Sequence, residues 1–315
     1  MNIIFYTGKG GVGKSSLAAA TAWQLAQSHR VRIVSLDPAH NLGDIFGVSL
    51  KKKKFFTERL CLEEIDLKKR TRDYLEREIE VFSETYKYLQ VLNLDSYFSI
   101  LKYSPGIEEY VLLSSIEEIV NCDDGSDYVI FDTPPTGLTL RFLALPRVTV
   151  TWIDRLIGIR RKILEKCHTI HRLCGSLSEG ETLLAFDEDD DRILQRLVVL
   201  GRSYRNLDAM LQGTTCRIAV VFNPDLLSLH ETERLIQALK ELNLPLSLLI
   251  DNKIGGPNQS MADRVEAQVR QLTDAPLLRV PFSEALPDGR ARKLYEVNAD
   301  MAAWLADGFS QAGET

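Results

Sequence analysis

Short runs of apolar residues recur along the chain, separated by longer stretches in which apolar positions repeat every three to four residues. Ile3–Tyr6, Val31–Leu36, Tyr128–Phe131, Arg217–Phe222 and Leu246–Ile250 read as strands, and Leu277–Val280 as a sixth. These runs are rich in Val, Ile and Leu and lack the polar alternation of a half-exposed strand. A strand that is apolar on both sides belongs in a parallel sheet covered by helices on both faces. The expected fold class is therefore α/β, a doubly wound, mostly parallel sheet, with helical segments such as Ser16–Gln27 between the strands.

Two gaps between strands are too long for single crossovers, the first of about 90 residues. Asp66–Phe82 and Gly106–Asn121 read as helices in the first. Trp152–Cys174 and Asp191–Leu211 read as helices in the second, which runs from Pro146 to Gly213. Between those two helices, Ser176–Glu181, Phe186 and the acidic run Asp187–Asp191 have the polar character of a mobile loop. The organisation expected is one domain over residues 1–315, with a helical subdomain built from insertions at about 50–121 and 147–212.

The strongest local chemistry follows the first strand. Gly8, Lys9, Gly10, Gly11, Val12, Gly13, Lys14 and Ser15 fit the G-x-x-x-x-G-K-[ST] pattern, between a strand and an alanine-rich helix that opens at Ser16. Glycines let successive backbone N–H groups turn inward around phosphate oxygens, and the helix N-terminus adds partial positive charge. Lys14 can reach the β and γ phosphates, and the Ser15 hydroxyl can ligate Mg²⁺. ATP and Mg²⁺ are the expected cofactors. Asp37 and Asp132 both follow strands, where an acid beside a phosphate loop would organise the metal.

Composition narrows the class further. With 45% hydrophobic and 26% charged residues among 315, the chain is neither disordered nor a rod. A net charge of −6 argues against a dedicated nucleic-acid binder, and the basic run Lys51–Lys54 reads as a solvated loop. Five cysteines without framework spacing argue against a disulfide scaffold; Cys61, Cys122 and Cys216 read as buried small apolar residues. No secretory signal and no membrane-spanning run is legible, so a cytoplasmic location is expected.

A second lysine, Lys9, early in the loop resembles the deviant phosphate loop of the MinD, ParA, arsenical-pump and nitrogenase-iron-protein class. The strings Asp37-Pro38-Ala39-His40-Asn41-Leu42-Gly43-Asp44 and Asp132-Thr133-Pro134-Pro135-Thr136-Gly137-Leu138-Thr139-Leu140-Arg141 are more specific. They resemble the switch I and switch II segments of the arsenical pump-driving ATPase (ArsA) family, which includes targeting ATPases for tail-anchored proteins. Ser104–Glu109 and Leu227–Arg234 resemble two further family segments. Asn252 sits where the family reads adenine, and Pro281-Phe282 where a loop covers it.

The resemblance implies an ATPase that acts as a nucleotide-dependent homodimer. In it Asp44 positions the attacking water, Lys9 acts on the partner's nucleotide, and Ser15, Asp37 and Asp132 serve the metal. Leu138 replaces a histidine common in the family, and Gly255–Arg270 lacks the cysteines of the targeting factors' zinc site, so no zinc clasp is expected.

The helical subdomain would carry the output. The targeting factors use a methionine-rich groove, whereas the four methionines here, Met1, Met210, Met261 and Met301, lie elsewhere. Trp152, Leu156, Ile159 and Ile163 share one helical face, a spacing that fits either core packing or a groove for apolar helices. Cys167, His171 and Cys174, at i, i+4 and i+7, share one face, and thiolates suit a soft metalloid. The two cysteines are about 10 Å apart along a helix, too far for one atom to bridge unaided. Membrane-protein targeting, metalloid pumping through a membrane partner, and MinD- or ParA-like positioning are the three outputs to be distinguished. For the last, Ala302–Thr315 carries Trp304, Leu305 and Phe309 but no basic residue, unlike a membrane-binding tail.

Overall fold

The computed structural model describes residues 1–39, 41–50, 52–85, 106–122, 124–174, 178–179, 182–183, 187–282, 295–297 and 299–310. Among the sequence expectations, His40, Lys51, Ser104, Pro105, Ser176, Leu177, Gly180, Glu181, Phe186 and residues 311–315 lie outside these, as do the side chains of His171, Cys174 and Phe309.

The described residues divide into two compact units, residues 1–143 with 212–315, and residues 144–211. The first is built on a sheet of eight strands. Its centre is β1 (Asn2–Gly8), parallel to β5 (Tyr128–Asp132) on one side and β8 (Cys216–Phe222) on the other. Beyond β5 lie β2 (Val31–Ser35), β4 (Leu60–Glu64) and β3 (Lys54–Phe55); beyond β8 lie β9 (Leu246–Ile254) and β10 (Leu277–Pro281). Every neighbouring pair is parallel except β3 with β4. The apolar runs are buried as their composition demands. Phe5 stacks on Phe131 at 4.9 Å on one face of the sheet. Tyr6 points to the other, its hydroxyl 2.5 Å from Thr21 on α1 (Lys14–Leu25).

Parallel strands place all their carboxyl ends along one edge. Connections leave β1 and β8 in opposite directions, which opens a crevice at that edge. Alanines at 18, 19, 20 and 22 let α1 lie close on the sheet, and its other side carries α9 (Met301–Ser310), where Met301 and Leu305 are fully buried. Gln24 fastens this contact through the Ala299 carbonyl at 2.7 Å. Of the apolar residues in this C-terminal segment, Leu305 belongs to the core and Trp304 is half exposed.

Several expectations are corrected. Residues 54–64, expected inside the first insertion, include two strands of the main sheet. Lys54 opens β3, and Lys53 is not simply solvated: its ammonium is 2.7 Å from Asp124. Cys122 is exposed, because the chain turns extended there after α4 (Ile107–Asn121). The helix expected from Trp152 begins at Thr136 and runs unbroken to Cys174 as α5, with Pro146 inside it. Leu138, Phe142 and Leu143 continue the apolar spacing upstream of the proline.

In the second unit, α5 continues to Cys174, and α6 (Arg192–Gln212) starts there and ends one residue into the first unit. Ile153, Ile157, Leu164, Leu194 and Leu207 are buried. The stretch expected to be loop holds a small antiparallel ladder, Ser178 opposite Leu183 and Glu179 opposite Thr182. The acidic run also ends inside the structure. Asp191 is buried, caps α6 through the Leu194 N–H at 2.6 Å, and pairs with Arg160 at 2.5 Å. The Arg160 guanidinium, with that cap, holds its carboxyl below the usual range.

Candidate functional site

The phosphate-loop residues form a tight turn from the end of β1 into α1. Gly8 has φ 148°, and a Cβ there would stand 2.1 Å from the Val221 carbonyl oxygen on β8. Gly13 has φ 100°, and a Cβ there would stand 2.4 Å from Asn252 Nδ2. Glycine is required at both positions, by left-handed backbone and by crowding together. Lys14 follows at the first turn of α1, only 5% exposed, its ammonium donating to the Lys9 carbonyl at 3.1 Å. Burial pulls Lys14 below its ordinary pKa, while Asp132, Asp37 and Glu231 act in the opposite sense. Lys9 faces Asp225 at 3.9 Å and is part-exposed.

Asp132, at the end of β5, is fully buried. Its Oδ2 accepts from Ser35 at 3.4 Å, and its Oδ1 has no hydrogen-bond partner among the described residues. Burial pushes its carboxyl up to about 6, with the Ser15 hydroxyl and Lys14 pulling down and Asp37 pushing up. A buried carboxylate oxygen with no partner is costly in a finished fold. Beside the Ser15 hydroxyl and Asp37, it is the donor set that a hard divalent cation takes. These residues therefore fit Mg²⁺. Asp37 also accepts from the Ala39 N–H at 3.0 Å, which shapes the start of the switch. Asp44 lies within α2 (Asn41–Phe46), exposed, and is not among the charges acting on Lys14.

At the opposite wall, Asn252 donates from Nδ2 to the Val12 carbonyl at 2.7 Å and is 8% exposed. Pro281 closes β10, and the Phe282 N–H bonds the Ile254 carbonyl at 2.7 Å, leaving the ring exposed. Segments quoted from the sequence meet here. Arg141 pairs with the buried Glu109 at 3.4 Å, and Thr136 reaches Glu231 at 3.5 Å. Sequence reasoning gave Glu231 no role of its own; its one signal was a place in the Leu227–Arg234 string.

Asp251, beside Asn252, is fully buried, and both carboxyl oxygens are without a donor among the described residues. Burial first, then Glu266 on α8 (Gln259–Arg270), and also Asp225, push its carboxyl up to about 8; Arg279 opposes them. Its protonated form is thus favoured well above the usual carboxylate range. A pKa raised in the fold contributes stability below the unfolded value near 4, and that contribution is lost as pH rises toward 8. This group should therefore lower the melting temperature as pH rises from about 4 to about 8, and Asp251→Asn should flatten that part of the slope. Parallel melting profiles for the two proteins would contradict the assignment.

The expected substrate residues divide. Trp152, Leu156, Ile159 and Ile163 are exposed by 64%, 46%, 56% and 43%, so this stripe is not core. Ile170 and Leu173 extend it down α5. Cys167 is a free thiol, half-buried. Among the described residues, no group of three or more His, Cys, Asp or Glu is arranged to hold a metal ion. No helix among them is long and apolar enough to cross a membrane.

Comparison with known proteins accounts for this assembly. A family model described as anion-transporting ATPase matches residues 1–274. The chain is 30% identical over 257 residues to a protein provisionally named arsenical pump-driving ATPase 2 of Aquifex aeolicus, covering 81% of this chain and 80% of that one. It is 31% identical over 261 residues to the ATPase ASNA1 homolog of Dictyostelium discoideum, covering 81% and 73%. It is 30% identical over 264 residues to ATPase get3 of Aspergillus niger, covering 82% and 74%. With the phosphate loop, both switch strings and their meeting at one edge of the sheet, the chain belongs to the anion-transporting ATPase (ArsA) family and is an ATPase.

Proposed function

We propose that the chain is a magnesium-dependent, nucleotide-switched homodimer whose output is the binding of apolar helical segments of membrane proteins. The observation that carries this reading is the exposed stripe Trp152, Leu156, Ile159, Ile163 on α5. A contiguous apolar surface that stays exposed in a folded chain marks an interaction site, and a ridge at helical spacing suits an apolar helix. The same helix starts at Thr136, within the switch II string, so one continuous element joins the nucleotide site to the stripe.

In this reading the N–H groups from Gly8 to Ser16 cradle the phosphates, and Lys14 neutralises charge as the β–γ bond breaks. Ser15, Asp37 and Asp132 would hold Mg²⁺, which would neutralise negative charge on the phosphate oxygens and so ease approach of the attacking water. Asp44 orients that water once switch I closes over the nucleotide, and Lys9 reaches the nucleotide of a second copy. Because Asn252 Nδ2 is committed to Val12, its Oδ1 is left to accept from the amino group of adenine; guanine presents a carbonyl there and is rejected. Pro281 and Phe282 supply the apolar side of the base pocket.

A metalloid-driven pump subunit is the competing output, and steady-state ATP hydrolysis separates the two. Antimonite should leave the rate unchanged within about twofold, since a chance contact is worth little. An amphiphile-solubilised apolar helical peptide should alter it. Strong stimulation by antimonite, lost in Cys167→Ser with Cys174→Ser, would replace the helix-binding reading.

A further inference from the structure

The end of β9 grips the phosphate loop from outside at two consecutive carbonyls. Asn252 Nδ2 donates to the Val12 oxygen and Lys253 Nζ to the Gly11 oxygen, each at 2.7 Å. A trans peptide points its C=O and the following N–H in opposite directions. Pulling the Gly11 and Val12 oxygens outward therefore aims the N–H groups of Val12 and Gly13 inward, into the concavity of the loop. Gly11 and Gly13, at φ 79° and 100°, give the alternating backbone that makes such a concavity attract anions.

Lys253 holds this position against its own preference. It has φ 63°, a left-handed conformation that is strained for a non-glycine residue. The strain is braced locally: Asn258 Nδ2 donates to the Lys253 carbonyl at 3.0 Å, and Asn258 Oδ1 accepts from the Gly255 N–H at 2.7 Å. The brace directs the side chain back across the loop.

We propose that Lys253 is a positioning residue of the nucleotide site, an external latch that presets the Gly11–Val12 peptide so that the Val12 N–H meets phosphate without rearrangement. The proposal rests on the reading of Gly8–Ser15 as the nucleotide site. Lys253 does not touch the reacting bond. It acts on ATP and ADP alike, so its effect falls on binding rather than turnover.

The test is the full chain with Lys253→Met, Lys253→Arg and Lys253→Gly, measuring kcat and KM for ATP, Kd for ADP and the melting temperature. Losing one charged donor should raise KM and the ADP Kd about tenfold in the Met variant, with kcat changed by less than about threefold. Arg keeps the donor and should recover most of the affinity. Gly relieves the backbone strain but lacks the donor, so it should melt no lower than wild type and still bind weakly, a combination that a purely structural role does not give. A Met variant matching wild type in KM and ADP affinity would overturn the proposal, as would lost kcat at unchanged KM. A wild type that neither binds nor hydrolyses ATP would instead remove the nucleotide-site reading beneath it.

Discussion

Lys14→Met should lower kcat for ATP hydrolysis by about 100-fold or more while leaving the fold intact. The size follows from the site. Phosphoryl transfer asks the protein mainly for positioning and charge neutralisation, and removing one preorganised donor to a developing charge costs about 10²–10³ in rate. Lys14 is 5% exposed and sits among Asp132, Asp37 and Glu231, so its charge acts in a desolvated setting where no water molecule substitutes for it. Methionine fills a similar volume, and the one described bond lost with the ammonium is that to the Lys9 carbonyl. Phosphate release measured beside thermal melting checks both halves of the statement. Turnover within tenfold of wild type, at unchanged melting temperature, would show that another group carries this role.

Gly8→Ala should destabilise the fold by about 3 kcal/mol or more, from two costs that add. Left-handed or rarer backbone imposes about 1–3 kcal/mol on an alanine, and overpacking a tight contact about 1–3 kcal/mol. The contact is severe, since the new Cβ would stand 2.1 Å from the Val221 carbonyl oxygen, a backbone atom of the adjacent strand that cannot swing away. At about 2–4 °C per kcal/mol for a unit of this size, the melting temperature should fall by about 6–12 °C. Nucleotide binding should suffer as well, because the turn out of β1 sets the first phosphate-facing peptide. Gly11→Ala is the control for backbone conformation without crowding, as nothing lies within 4 Å of a Cβ there at φ 79°. Equal stability losses in the two variants would mean that the Val221 contact relaxes and conformation alone is felt.

The parallel sheet was legible because its inner strands are apolar on both sides, and a run such as Ile3–Tyr6 has no other way to be buried. β3 and β4 were not. Leu60–Leu62 is three apolar residues between charges, and Lys54 and Phe55 are exposed, so neither carries a periodicity that separates it from loop. At the site, the phosphate loop and Asp132 were readable because motif and strand end coincide in sequence. Lys253 was not, since its partner Gly11 lies 242 positions away and only the closing of the sheet brings them together. Asn252 was placed at the base from family resemblance; what the sequence did not show is that its Nδ2 is already engaged by the loop, which fixes how its amide is oriented. The α5 stripe marks a different limit. Trp152, Leu156, Ile159 and Ile163 have the same spacing whether they face a core or a partner, and only their exposure decides.

The Gly11 and Val12 peptides are held by β9, and α5 leaves from the switch II string, so the two ends of the nucleotide crevice are tied to different parts of the molecule. In the proposed function, a ligand that moves switch II would act on the first turn of the helix that carries the stripe. Differential affinity for the nucleotide states is what would make the stripe a switched surface rather than a permanent one.

The most direct test is the affinity of the whole protein for a single apolar helical peptide, measured with ATP in the Asp44→Asn variant, with ADP, and without nucleotide. The account predicts binding that differs at least about tenfold between the ATP and ADP states, a coupling of about 1.4 kcal/mol, and that is lost when Trp152 and Ile159 are replaced by Asp. Affinity that is equal in all three states, or that survives the loss of Trp152 and Ile159, would contradict it.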